Sequence, residues 1–281
     1  LFGVALAVSR AVANPPRLGR AQPCRAPPTT CRVLGRMSTA PPDVVPKPLP
    51  KKPSAGELVT NAFSSAIAQL VKNDPHVRVG SDPEAVHQAR VAVRTLRSHL
   101  RTFGRLLEGD APQSGQLRDL GRRLGEVRDR EVLLELIRSR IGELPQTDRL
   151  MAEETLGRLE AEIGLEKKQL AAFMDADAYI DLLDGLVKFA NAPAFNDLAE
   201  LPAVKVAVEL ARRRWRRLRK AVQALPDSPE PDQLHRIRIL AKRTRYAAEA
   251  VIPVAGGRAK RFAEAAEALQ SVLGEYRDAV T

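Results

Sequence analysis

The sequence predicts an all-α fold. Ala, Leu and Arg are its commonest residues, a composition that favours helix. Apolar residues recur at steps of three and four from residue 54 onward, the period of a helix with one buried face. No segment alternates apolar and polar residues as a half-buried strand does. With 281 residues and 44% apolar content, the chain has material for one large domain or two small ones.

Residues 1–53 stand apart. Eleven of the 21 prolines fall between Pro15 and Pro53, so this stretch reads as a disordered, partly polyproline arm. Residues 1–42 hold six arginines (Arg10, Arg17, Arg20, Arg25, Arg32 and Arg36) and no acid. Two origins fit that composition: a transit peptide, or upstream translation with Met37 as the natural start, which is the favoured one. Both cysteines, Cys24 and Cys31, lie in the arm. The cysteine-free body suits a reducing compartment and has no disulfide or Cys metal site.

The first helix opens at a capping box, Ser54 to Glu57, and carries Val59, Phe63, Ile67 and Leu70 inward. "NDPHVRVG" is expected to break it near residue 74. The second opens at Asp82 with Pro83 in its first turn and is expected to run to about Glu108. Its apolar row is Val86, Ala89, Val93, Leu96, Leu100, Phe103 and Leu107. Further helices are expected at about 114–142, 147–174, 178–190, 203–224, 232–252 and 257–280. No run of 18 apolar residues occurs, so no membrane-spanning helix is expected.

One residue after each apolar position, the second helix carries His87, Arg90, Arg94, Arg97 and Arg101. Steps of three and four put all five on one face. Like charges at that spacing repel, and the row costs the free protein roughly 1–2 kcal/mol. Residues 87–101 contain no acid to relieve it. A solvated face usually mixes signs, so this row reads as an anion-binding stripe. It spans roughly 21 Å at 1.5 Å per residue, a length suited to an extended polyanion. Arginine supplies a rigid donor fork for phosphate oxygens, and a net charge of +11 favours an anionic partner.

The row occurs twice. "VHQARVAVRTLR" at 86–97 aligns with "LHRIRILAKRTR" at 234–245, an offset of 148. His235, Arg238, Lys242 and Arg245 therefore repeat His87, Arg90, Arg94 and Arg97, while Arg101 is replaced by Glu249. "LGEVRD" at 124–129 returns as "LGEYRD" at 273–278. Two related helical units follow, at about 54–175 and 178–281, and the second is expected to lack its last helix. Gly125 and Gly274 read as positions of close helix contact. The segment "RRRWRRLRK" places Lys205, Arg212, Arg216 and Arg219 one residue after an apolar row that includes Trp215, so these arginines join the candidate stripe. Trp215 itself reads as core, and Arg213, Arg214 and Arg217 as a solvated flank.

Chemistry beyond binding has little support. No HExxH or other metal spacing, no Gly-rich phosphate loop and no nucleophile motif occurs. No metal, cofactor or catalytic residue is expected.

On these residues the chain resembles the CHAD family, the conserved-histidine α-helical domain. "VHQARVAVRTLRSHLRTF" is similar to its signature helix, "LHRIRILAKRTRYAAEAV" to the second copy and "LGEVRDREVLLELI" to the helix that follows. The resemblance covers about residues 54–281. It implies two tandem four-helix bundles related by a pseudo-twofold axis, with a basic groove between them. It also implies non-catalytic binding of inorganic polyphosphate, with His87, Arg90, Arg94, Arg97, Arg101, His235, Arg238, Lys242 and Arg245 as contacts. Nucleic acid is the alternative partner, disfavoured by the few aromatics available for stacking. The implied setting is intracellular: cytoplasmic or granule-associated, and nuclear or organellar in a eukaryotic host.

Overall fold

Ser54 starts the first helix as its capping box requires. Its hydroxyl accepts from the Glu57 N–H (3.2 Å), and the Glu57 carboxylate accepts from the Ser54 N–H (2.7 Å). The computed structural model describes residues 44–80, 82–109 and 114–280, with side chains as far as 276. Eight α-helices occur among them: α1 (Ala55–Val79), α2 (Pro83–Phe103), α3 (Ser114–Arg140), α4 (Gln146–Met174), α5 (Asp177–Asn191), α6 (Ala203–Gln223), α7 (Pro231–Ala250) and α8 (Ile252–Val280). α8 bends at Gly256, whose φ of 61° is open to glycine and strained for other residues. No strand forms among the described residues, only two isolated bridges. None of these helices is long and apolar enough to cross a membrane.

Three sequence expectations need correction here. Residues 44–53 belong to the fold although their composition matches the arm: Val44 is buried in the core and the Asn61 side chain donates to the Lys47 carbonyl (2.7 Å). Apolar Val44 and Leu49 supply the burial that the prolines around them obscure. Residues 1–43 lie outside the described residues. The second correction concerns α1, which runs through Pro75 to Val79 and ends on Gly80 in the left-handed conformation (φ 68°). Pro75 removes one backbone donor, yet tertiary contacts outweigh that loss. The Asp74 carboxylate is fully buried and accepts from the Tyr179 hydroxyl (2.6 Å) and the Arg78 Nε (2.7 Å). Arg78 also donates to the Met174 carbonyl (2.6 Å) and pairs with Asp175. One carboxylate thus ties the end of α1 to the junction of α4 and α5. α2 stops five residues before its expected end and continues as a 3-10 turn over Gly104–Leu106.

The main core lies between α1, α2 and their neighbours. Phe63, Ile67, Val93, Leu96, Phe103, Leu117, Leu120 and Leu182 are all completely inaccessible to solvent. A smaller cluster of Leu218, Ile237 and Ala241 joins α6 to α7. α1 and α6 meet at their starts, where the Ala55 N–H donates to the Leu201 carbonyl (2.8 Å) and the Ala203 N–H to the Pro53 carbonyl (3.0 Å). Donors 55 and 203, and acceptors 53 and 201, are each separated by the offset of 148 found in the repeat. α2 and α7, the two helices with the basic rows, pack directly against each other.

The Asp74 cluster yields a stability prediction. Asp74→Ala strips Arg78 and the Tyr179 hydroxyl of a buried anion and should cost about 3 kcal/mol or more. Tyr179→Phe removes one hydrogen bond and should cost about 1–2 kcal/mol. Chemical denaturation midpoints measure both, and the proline-stop reading of this segment predicts no loss for either.

Candidate functional site

The basic rows take their place from the core rows beside them. In α2, Val86, Ala89, Val93 and Leu96 are buried, so the residue after each emerges at the edge of the packed face. α7 repeats the device: Ile237, Ala241 and Thr244 are buried and are followed by Arg238, Lys242 and Arg245. Because α2 packs on α7, the two rows meet.

Lys242 is the centre of that meeting. Its ammonium is half-buried and faces Arg94 and Arg90 from α2 and Arg238 and Arg245 from its own helix. Burial, followed by repulsion from those four guanidinium groups, lowers its pKa from the ordinary 10.5 to about 8. Arg94 and Lys242 are equivalent positions in the repeat, so the same position of each unit confronts the other. The Nε atoms of Arg94 and Arg238 are buried donors with no acceptor among the described residues. Such donors cost free energy unless an acceptor reaches them.

A second group of cations extends the cluster. Arg97 and Arg101 face Arg118 of α3 and Arg243 of α7. Arg214 of α6 lies against Arg217, Arg243 and Arg101, and its guanidinium donates to the Arg101 carbonyl. Burial first, and then these like charges, lower the pKa values of Arg97, Arg101 and Arg214. All three stay charged at any physiological pH. Every donor in the cluster is cationic, which suits an anion and repels a metal ion.

Not every residue in the rows is equally available. Arg90 pairs with Asp129 (2.9 Å), the aspartate of "LGEVRD". Arg245 is held by Glu249 (2.7 Å) and Glu267 (2.8 Å). Arg94, Arg97, Arg101, Arg238, Lys242 and Arg243 have no acidic partner among the described residues. His87 and His235 are half-buried. They lie one turn beyond Arg90 and Arg238, outside the set of mutually repelling cations.

The glycines of the repeated motif have matched neighbours. A Cβ on Gly125 would stand 3.6 Å from the Arg90 Nε, and one on Gly274 would stand 3.6 Å from the Arg238 Nε. In each unit the arginine of the neighbouring helix lies over the motif glycine, at a distance where a Cβ would make ordinary van der Waals contact.

α6 departs from the sequence reading. Its buried residues are Ala203, Ala207, Leu210, Ala211 and Leu218, and the row through Ala203, Ala207 and Leu210 continues at the same spacing to Arg214 and Arg217. Arg214, read as part of a solvated flank, therefore joins the cluster. Of the arginines assigned there, Arg216 pairs with Glu209 and Arg219 is exposed. Arg212 lines an apolar cleft with Trp215 and Phe262. Trp215 is 38% exposed instead of core and packs edge-on against Phe262 (5.2 Å between centroids). Arg118 also escaped the sequence reading, although it follows the buried Leu117 by the same one-residue step as the two rows.

Comparisons with known proteins identify the family and the fold. The family model for the CHAD domain matches residues 61–281. Two uncharacterized proteins of Mycobacterium tuberculosis, from strains CDC 1551 and H37Rv, are each 32% identical to this chain over 89% of its length. The chain spans about half of these relatives (47%). The crystal structure of the CHAD domain from the plant Ricinus communis superposes with a TM-score of 0.69 at 25% identity, covering 86% of this chain and 81% of that one.

Arg94 and Lys242 should be coupled electrostatically. Arg94→Gln should raise the Lys242 pKa from about 8 towards the ordinary 10.5. An NMR titration of the lysine side-chain resonances measures the shift, and an unchanged value would place Arg94 outside the cluster.

Proposed function

The chain belongs to the CHAD domain family, and from that premise we propose that it is a non-catalytic binder of inorganic polyphosphate. The observation that carries this reading is the confrontation of Arg94 with Lys242. Two like-charged rows are packed together where each raises the free energy of the other. A chain of phosphates relieves that repulsion and offers oxygen acceptors to the unpartnered Nε donors of Arg94 and Arg238. Polyphosphate carries one strong-acid charge per internal phosphate and no bases, so a groove with charge and few aromatic platforms suits it better than single-stranded nucleic acid.

The proposed groove lies between two helical units related by a pseudo-twofold axis. The reciprocal hydrogen bonds at the starts of α1 and α6 support that relation, as does the matched seating of Arg90 on Gly125 and Arg238 on Gly274. Arg94, Arg97, Arg101, Arg238, Lys242 and Arg243 are its central contacts, with Arg118 and Arg214 extending it. His87 and His235 mark its ends.

Competition among long-chain polyphosphate, pyrophosphate, DNA, RNA and heparin for the purified chain tests the reading. Long polyphosphate should bind most tightly, with log affinity falling steeply against log salt as counterions are released. Arg94→Gln and Lys242→Gln should each weaken it roughly tenfold or more, the scale of one charge-assisted hydrogen bond. Arg219→Gln should have a much smaller effect. Pyrophosphate binding as tightly as the long chain, or DNA outcompeting it, would refute the extended polyphosphate groove.

pH supplies a further check. The free Lys242 titrates at about 8, and a bound polyanion favours its ammonium and raises that value. Binding therefore takes up a proton above the free pKa, and affinity should fall as pH rises from about 7 to about 9. Lys242→Arg, charged throughout that range, should flatten the slope. A slope that survives this substitution would assign the proton uptake to another group.

A further inference from the structure

We propose that Lys242 is a covalent acylation site for acyl phosphates, and that the surrounding guanidinium groups deliver these donors to it. The proposal rests on reading the cluster as a phosphate site. It adds that the cluster contains a nucleophile as well as charge.

The groups facing Lys242 are Arg90 and Arg94 across the helix interface and Arg238 and Arg245 on its own helix. Two of these guanidinium groups hold carboxylates of their own: Arg90 pairs with Asp129, and Arg245 with Glu249 and Glu267. No anion among the described residues holds the Lys242 ammonium in its charged form. Cationic neighbours and partial desolvation are the arrangement that makes a lysine amine nucleophilic, and a pKa of about 8 leaves a substantial neutral fraction near neutral pH. Exposed lysines such as Lys72 and Lys205 have no comparable setting.

An acyl phosphate joins an electrophilic carbonyl to a phosphoryl group. Arg94 and Arg238, whose Nε donors lack acceptors, would hold the phosphoryl oxygens. The neutral Nζ attacks the carbonyl carbon and a C–N bond forms. The C–O bond to phosphate breaks, inorganic phosphate leaves with the electron pair, and the surplus proton on nitrogen passes to solvent. No oxidant, reductant or metal is needed. The product is a neutral amide that removes one charge from the middle of the cluster, so acylation and polyanion binding oppose each other.

The test treats the 281-residue chain with acetyl phosphate and follows acetylation of each lysine by peptide mass spectrometry. Lys242 should react roughly tenfold or more faster than Lys205, as its activated setting requires. Long-chain polyphosphate should protect it. Arg94→Gln should slow the reaction with acetyl phosphate more than the reaction with N-acetoxysuccinimide, which has no phosphoryl group. Lys242 reacting no faster than Lys205, or an equal effect of Arg94→Gln on both reagents, would overturn the proposal. Polyphosphate affinity measured on the same sample separates the two claims. Selective acetylation without polyphosphate binding would leave the acylation site standing and overturn the polyphosphate reading. Tight polyphosphate binding with an unreactive Lys242 would overturn acylation alone.

Discussion

The contact between α2 and α7 is the constraint on which the rest of this molecule depends. It brings Arg94 against Lys242 and sets two rows of like charge side by side. Nothing in the rows favours that contact. The rows are placed by what lies one residue away: Val86, Ala89, Val93 and Leu96 in the main core, and Ile237 and Ala241 in the smaller cluster with Leu218 of α6. Burying a large aliphatic side chain contributes about 1.5–3 kcal/mol, so a few such residues outweigh the repulsion of the neighbouring row. The core fixes the phase of each helix, and the phase carries the charges with it.

The acidic residues divide the cations into two kinds. Asp129, Glu249, Glu267 and Glu209 take up Arg90, Arg245 and Arg216. Arg90 and Arg245 face Lys242 with their charge partly offset by these acids, and Arg216 stays outside the cluster. The middle of the site has no acidic partner among the described residues, so its positive potential is concentrated there. The motif glycines work with this division. Arg90 and Arg238 lie over Gly125 of α3 and Gly274 of α8, and Asp129, from the same motif as Gly125, pins Arg90. A motif that looks like helix packing therefore serves the arrangement of charge.

The other end of the molecule follows a different rule. Asp74 is buried because Tyr179 and Arg78 satisfy it, and satisfaction of a buried carboxylate overrides the tendency of an Asp-Pro pair to stop a helix. The outcome is a long α1 that reaches the α4–α5 junction and gives α2 a rigid surface to pack on.

The sequence alone determined the helical class, the boundaries of α3 to α7 to within a residue or two, the caps at Ser54 and Asp82, and the phase of the two basic rows. Each is a local property, set by spacing along one helix or by one capping side chain. The repeat also foretold that the rows are equivalent, because like sequences fold alike. Only the tertiary structure decided which cations meet. Arg214 was unreadable as a site residue because two rows of α6, Ala203–Ala207–Leu210 and Val204–Val208–Ala211, are both apolar. Packing buries Ala203, Ala207 and Leu210 together with Ala211 and leaves Val204 57% exposed, and Arg214, next along the first row, meets Arg101 and Arg243. Arg245 looked equivalent to Arg97, yet Glu267, distant in sequence, reaches it through α8. Pro75 looked like a terminator until Tyr179 reached Asp74 from 105 residues away. Helical phase is written in neighbouring residues, whereas the partner of a charge is chosen by the packing of helices far apart in the chain.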